Sequence, residues 1–268
     1  MLWEAMTTTD FALLDPARAV ALLPVGAIEQ HGPHLPLATD AIIAEQIAHR
    51  AAAATPADVP LLVLPTLNVG KSNEHIDYPG TLTFSAHTLT DMCLAVGESV
   101  HRAGLRKLII VNAHGGQPQI MQIVARELRV RHQMLVVFAN TWSLGYPPGV
   151  LEDEEARYGI HGGQSETSIM LYLRPDLVRM EHARNFTTVL PEIETEYQHL
   201  RMIGDVGIGW QAQDVSASGV AGNAAIATAE TGEAIVMHCA SAFAELFAEV
   251  SSYPLARIAS HPSVPGTP

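Results

Sequence analysis

The sequence predicts an α/β fold: a mostly parallel sheet with helices on both faces. Four short apolar runs, 20–25, 60–64, 107–112 and 134–139, alternate with three amphipathic helical segments, the order of consecutive βαβ units. The first of them, Val20–Val25, is continuously apolar, as a strand covered on both faces is. Polar, histidine-rich clusters follow the runs directly, and open parallel sheets bind ligands at the carboxyl ends of their strands.

Taken in order, residues 1–17 hold a threonine patch at Thr7–Thr9 and predict a short helix. The first strand, Val20–Val25, runs into Glu29-Gln30-His31-Gly32-Pro33-His34-Leu35-Pro36. An Ala- and Ile-rich helix follows over Asp40–Ala54, with Asp40 placed as its N-cap. Pro60–Leu64 is the second strand, and Asn68–Phe84 is too polar for regular structure. From Ser85 a helix sets Leu89, Cys93, Val96 and Val100 on one face until Gly104 stops it. Lys107–Asn112 leads into His114-Gly115-Gly116, and Pro118 fits the first turn of the next helix. The fourth strand is Met134–Ala139. Residues 140–163 read as a long loop, acidic at Glu152–Glu155, and Gln164–Leu173 as a helix stopped by Arg174-Pro175. Residues 182–222 have weak periodicity and form excursions around the site or a subunit contact. Glu230–Val250 is the last helix, residues 1–258 form one domain, and 259–268 form a Pro-rich disordered tail.

Composition narrows the function. The 268 residues are 48% hydrophobic, enough for a substantial core. Lys and Arg number 15 against 28 acids, a net charge of −13 without basic clusters, which excludes nucleic acid and an anionic membrane surface as partners. Cys93 and Cys239 fall in apolar helical patterns and read as buried thiols. The N-terminus carries Glu4 and Asp10 rather than a basic-then-apolar leader. No apolar run reaches the ~18 residues of a membrane span. These features predict a soluble cytoplasmic protein.

Glu29 and His31 are two apart, so in extended chain they leave on the same face. With Asp40 they make the carboxylate–imidazole–carboxylate set of a divalent metal. His75, His114 and His161 lie in loops assigned to the same sheet edge, beside Ser72, Trp142 and Glu166. His34 reads as structural, and the eight histidines outside these loops as surface or core residues. Gly207-x-Gly209 lacks a preceding strand and a third glycine, and the chain has no Gly-x-Ser-x-Gly elbow.

The segments Gly26–Pro36 through Asp40, Glu74-His75 with Tyr78-Pro79-Gly80-Thr81, Asn112–Gly116, His161-Gly162-Gly163 with Glu166-Thr167-Ser168, and Ala227-Thr228-Ala229 with Gly232 together resemble the creatininase (creatinine amidohydrolase) family. The resemblance runs from the first strand to the last helix. It implies a three-layer α/β/α fold, two divalent ions per chain (zinc, manganese or iron), hydrolysis of an amide C–N bond, a small-molecule substrate and a homo-oligomer, commonly a hexamer. By motif position Glu29 and His114 bind one ion, His31 the other, and Asp40 bridges. His161 is implied as a proton-transfer or carbonyl-polarising group. Ser72, His75, Gly115 and Trp142 are the candidate substrate contacts.

Two departures stand out. Creatininase carries a glutamate ligand where this chain has Gly116, so the second ion takes either Glu166 or water and substrate instead. It carries a tryptophan where this chain has Arg157, so creatinine itself is not the expected substrate. The predicted reaction is attack by hydroxide from a bridging water on an amide or formamide carbonyl, with Glu166 or His161 protonating the leaving nitrogen. Rival readings are opening of a lactone or cyclitol-derived ring, deformylation, trimming of a peptide, and a metal-dependent binding module without catalysis.

Overall fold

The computed structural model describes residues 1–258; the disordered tail expected over 259–268 lies outside them. The main sheet holds β1 (Val20–Val25), β2 (Leu61–Val63), β3 (Lys107–Asn112) and β4 (Leu135–Asn140), all parallel, in the order β2-β1-β3-β4. Three long helices connect them: α1 (Thr39–Ala54), α2 (Ala86–Arg102) and α3 (Pro118–His132). The C-terminal half adds α4 (Asp153–Tyr158), α5 (Gln164–Leu173), α6 (Leu190–Glu196), α7 (Ala212–Val215) and α8 (Ala229–Ser252). It also adds a small antiparallel pair, β5 (Asn185–Phe186) with β6 (Gly222–Asn223).

Alternation along the strands sorts the core into two layers. Val20, Leu22, Ile109 and Val111 face a core shared with α1, α5 and α8, through Ile43, Ile47, Ile169, Met170, Ile235 and Phe243. Ala21, Leu23, Leu108 and Ile110 face the other, shared with α2 and α3, through Leu89, Cys93, Val124 and Leu128. The three-layer α/β/α arrangement follows from those two interfaces. The segment around α6 and α7 has its own small core of Leu190, Met202, Val215 and Ala221.

Several boundaries differ from the sequence reading, each for a local reason. Residues 1–17 form two 3₁₀ turns, Trp3–Ala5 and Asp10–Leu13, because the chain first adds along the β2 edge: the Val63 amide donates to the Met1 carbonyl. The 68–84 loop holds a 3₁₀ turn at Asn73–His75, and the 140–163 loop contains α4. Asp40 is not the N-cap; Ala38 is, and Asp40 lies in the first turn, its carboxylate turned to His31 and His114 rather than to its own helix. Ser85 does cap α2, accepting from the Thr88 amide, and Gly104 after that helix has φ +93°. β4 is the sheet's edge, with Phe138 exposed. Among the described residues α8 alone is long and apolar enough to cross a membrane, contrary to the composition reading. Its buried stripe, Ile235, Val236, Cys239, Phe243 and Phe247, packs into the core instead.

Candidate metal centre

The carboxyl ends of β1 and β3 deliver the central residues. Past β1 the chain turns so that Glu29 and His31 both point inward, buried, and the first turn of α1 brings Asp40 between two imidazoles. Asp40 Oδ1 lies 3.2 Å from His31 Nε2 and Oδ2 lies 3.1 Å from His114 Nδ1. Glu29 Oε1 closes on the His114 side at 3.2 Å, and Glu166 Oε2 on the His31 side at 3.8 Å. The sheet edge thus holds two adjoining sets, Glu29–Asp40–His114 and His31–Asp40–Glu166, joined at Asp40.

The tautomers point the same way. His31 Nδ1 lies 3.1 Å from the Glu29 carbonyl, which can only accept, so Nδ1 carries the proton and Nε2 faces Asp40. His114 Nε2 lies 3.0 Å from the Lys71 carbonyl, which leaves Nδ1 toward Glu29 and Asp40. The turn carrying His114 is pinned by Asn112, whose Nδ2 donates to the His114 carbonyl at 2.7 Å. Each imidazole therefore presents a lone pair to the carboxylates when neutral, the arrangement of a metal-ligating histidine with its other nitrogen held by an acceptor.

Without a cation this is a poor place for charge. Both oxygens of Glu29, Oδ2 of Asp40 and Oε1 of Glu74 are buried with no hydrogen-bond partner, a costly arrangement unless a positive group sits among them. Burial alone would depress the His31 imidazolium, but the Asp40 charge and hydrogen bond override it and hold it at about 10. His114 is raised well above the usual range against the same burial, by Glu29 and Asp40. Burial would raise the Asp40 carboxyl; His31 and His114 instead hold it well below the usual range. Protons on the two imidazoles stand in for divalent ions, and the donor set fits such ions.

Above the centre His161 stacks on His75, 4.3 Å between ring centroids, and lies tilted against His31 at 4.2 Å. Gln30, a residue the sequence reading passed over, sets the protons of His75 and His161. Its amide nitrogen donates to His75 Nδ1 at 2.9 Å and to the Gly219 carbonyl at 2.7 Å, using both hydrogens. His161 Nε2 donates to the Gln30 carbonyl at 2.7 Å, so its Nδ1 lone pair faces Glu29 Oε1, 3.6 Å away. Burial, reinforced by the His31 charge, pushes His161 down to about 3 and keeps the ring neutral. Glu166 accepts from the Gly162 amide at 2.5 Å, and burial pushes its carboxyl up to about 7.

The remaining predicted residues fall in different places. His34 is wholly buried, its Nε2 within 3.0 Å of both the Gly162 carbonyl and Thr167 Oγ1, tying the first motif to α5. Ser72 is buried behind His114, 3.3 Å from Nε2, and His75 lies against Glu29 at 3.5 Å. Trp142 stands beyond β4, 38% exposed, and no hydrogen bond or ring contact ties its side chain to the centre among the described residues. The two glycines after His114 differ. A Cβ on Gly115 would meet nothing within 4 Å, whereas one on Gly116 would lie 1.7 Å from Glu74 Oε1. Neither has positive φ, so a sharp glycine turn is not their role. Glu74, which the sequence reading noted without a role, is buried here, Oε1 3.0 Å from His114 Nε2. Arg157 is exposed, paired with Glu194 and lying over the Tyr158 ring.

With this geometry in hand, known proteins can be compared. A family model described as creatininase, creatinine amidohydrolase, matches residues 4–247. The mycofactocin precursor peptide peptidase of Mycolicibacterium smegmatis is 33% identical over 159 residues, 59% of each chain, so the match spans less than two thirds of that relative's length. The creatinine amidohydrolase of Pseudomonas putida is 33% identical over 178 residues, 60% of this chain and 67% of that one. A Zn-Zn form of a creatininase variant superposes with a TM-score of 0.74 at 25% identity, covering 92% of this chain and 97% of that one.

Proposed function

The chain belongs to the creatininase family, and from that premise we propose that it is a dinuclear metal-dependent amidohydrolase acting on the C–N bond of a cyclic amide, amide or formamide. The observation that carries the proposal is Asp40, whose two oxygens each face a different imidazole at 3.2 and 3.1 Å amid buried carboxylate oxygens without hydrogen bonds. Glu29 and His114 would hold one divalent ion, His31 and Glu166 the other, with Asp40 facing both; zinc, manganese or iron would suit this donor set. Bound there, such ions acidify water and polarise a carbonyl.

The chain's own residues do the rest. His31 and His114 are held by the Glu29 and Lys71 carbonyls, so neither ring turns to find its ion. His161 keeps an unprotonated Nδ1 toward the centre because Nε2 is committed to the Gln30 carbonyl. The proton of the attacking water would pass to the leaving nitrogen by way of Glu166, whose burial-raised carboxyl at about 7 suits the task, or of the unprotonated His161 Nδ1. His75 and Gln30 hold that ring in place by stacking and hydrogen bonding. Creatinine is not the proposed substrate, since Arg157 is turned to Glu194 and supplies no ring. We also propose that residues 1–258 form one domain, that the protein is cytoplasmic, with both cysteines as buried free thiols, and that it assembles as a homo-oligomer, the family hexamer.

Metal analysis of purified protein, with Glu29→Ala and Asp40→Ala beside it, tests the reading. The expected content is about two equivalents per chain in the parent and a loss of both metal and turnover in the variants, assayed on a panel of cyclic amides, linear amides, formamides and short peptides. Full activity in a metal-free variant would sink the mechanism. One tightly held ion and no turnover on the panel would favour the non-catalytic binding module.

A further inference from the structure

His114 uses its two nitrogens in opposite directions. Nδ1 faces Asp40 at 3.1 Å and Glu29 at 3.2 Å. Nε2 faces the Lys71 carbonyl at 3.0 Å, Glu74 Oε1 at 3.0 Å and Ser72 Oγ at 3.3 Å. Glu74 is buried in the loop after β2, and its second oxygen takes the Lys71 ammonium at 2.9 Å. The same ammonium reaches the Gly116 carbonyl at 3.3 Å, which closes the loop onto the turn carrying His114.

Gly116 is what admits this carboxylate. A Cβ there would stand 1.7 Å from Glu74 Oε1 and 2.6 Å from His114 Nε2. Oε2 is anchored by the Lys71 ammonium, while Oε1 faces His114 Nε2 with no hydrogen-bond partner of its own. No side chain at residue 116 is therefore compatible with the observed position of Glu74. The three residues Glu29, Glu74 and His114 have ligand atoms close enough together to suggest an ion among them. The ring argues otherwise: Glu29 and Asp40 share the Nδ1 side, whereas Glu74 lies at Nε2, so an ion held at Nδ1 is out of its reach.

We propose that Glu74 is a positioning residue. From the loop after β2 its charge, 3.0 Å from Nε2, orients His114 and makes Nδ1 a stronger donor, while the Nε2 proton stays on the Lys71 carbonyl; Gly116 is the vacancy that lets the carboxylate in. A carboxylate behind a ligating imidazole fixes the ring and raises its basicity. Lys71 balances the buried charge, so the unit is Lys71–Glu74–His114. The proposal rests on the reading of His114 as a metal ligand.

The test is zinc titration of metal-stripped protein by calorimetry, comparing the parent with Glu74→Ala, Glu74→Gln, Gly116→Ala and His114→Ala. Glu74→Ala is expected still to bind two ions, one of them about 10- to 100-fold more weakly. Glu74→Gln, which keeps the shape and an acceptor without the charge, is expected to fall between it and the parent. Gly116→Ala, which evicts the carboxylate without deleting it, should repeat the loss, and a cobalt-loaded Glu74→Ala protein should show a shifted visible absorption band. Zinc affinities of Glu74→Ala equal to the parent's overturn the inference while leaving the metal centre standing. Loss of one whole equivalent in Glu74→Ala also overturns it, by making Glu74 a ligand. A parent that binds no zinc, or a His114→Ala protein that binds as the parent does, overturns the metal reading and this inference together.

Discussion

Gly232→Ala tests how the helical layer holds the metal centre. Gly232 lies in the first turns of α8 where that helix crosses α5. A Cβ there would lie 1.9 Å from the Ser168 carbonyl oxygen, 2.4 Å from its carbon and 2.9 Å from the Ile169 nitrogen. These are backbone atoms, which have no rotamer to change. Reaching an ordinary 3.4 Å contact requires the helices to part by about 1.5 Å. Overpacking of this kind costs ~1–3 kcal/mol, with a main-chain clash toward the upper end. Alanine returns ~1 kcal/mol of helix propensity, which leaves a net loss of ~2 kcal/mol. For a domain of this size that lowers the melting temperature by about 4–8 °C. The second consequence reaches the site. Glu166 sits on α5 two residues before Ser168, and a carboxylate ligand tolerates displacements of only about 0.2 Å. Binding of the ion proposed at His31, Asp40 and Glu166 should therefore weaken along with the fold. Calorimetric melting in chelator and zinc titration read the two effects, with Gly115→Ala, whose Cβ would meet nothing within 4 Å, as control. A Gly232→Ala protein that melts within about 1 °C of the parent would refute the packing argument.

Three further outcomes follow from the same geometry. Chelation should lower the melting temperature and zinc restore it, since ions at about 100 times their dissociation constant add ~2.7 kcal/mol per site; identical melting curves with and without chelator would contradict the buried carboxylate cluster as a cation site. Lys107, wholly buried on β3 with Nζ 2.6 Å from the Ser251 carbonyl, should tolerate methionine at a cost under ~1.5 kcal/mol but lose ~2–4 kcal/mol as alanine. Urea unfolding distinguishes these, and a Met variant as damaged as the Ala variant would show that the ammonium, not the stem, matters. Glu155 is buried, and that burial raises its carboxyl above the usual range despite the Asn223 and Gln164 amides that donate to it. The folded state therefore binds this proton more tightly than the unfolded chain. Its contribution is most favourable below the ordinary carboxyl pKa and declines as pH rises through the folded value. Glu155→Gln should lack that slope in urea midpoints taken in chelator from about pH 4 to 7; a difference from the parent that stays constant with pH would refute it.

The sheet was readable because its signals are local. A continuous apolar run marks β1 and one bounded by Lys107 and Asn112 marks β3 to the residue, and Ser85, Gly104 and Pro118 punctuate α2 and α3 by their own local chemistry. The first half of the site shares that advantage, with Glu29, His31 and Asp40 lying within one turn-to-helix passage. Asp40 shows the limit even there: an acid at a helix start reads as a cap, and only two histidines from elsewhere reveal that its side chain is taken. Glu155 was hidden differently. In a run of acids it reads as a solvated face, yet the space around Gly159, Gly163 and Gly222 receives its carboxylate, and those glycines lie on both sides of α5 in sequence. No window around Glu155 contains that information.

Gly116 joins these two kinds of failure. As a departure from the family pattern it reads as a ligand lost, and a lost ligand argues for a weakened second ion or a protein that binds without turning over. The structure changes the sense of that glycine. The space left at residue 116 is filled from the loop after β2 by Glu74, 1.7 Å from where a Cβ would begin, while Glu166 on α5 lies 3.8 Å from His31 on the other side of the cluster, where the proposed second ion would use it. A glycine and a glutamate 42 positions apart are then one choice seen twice, since either alone would be unfavourable: a side chain at residue 116 would expel Glu74, and Gly116 without Glu74 would leave His114 Nε2 with less to hold it. In a chain of this family, glycine two residues after the third-motif histidine together with the Glu74-His75 pair is thus compatible with the proposed two-ion centre.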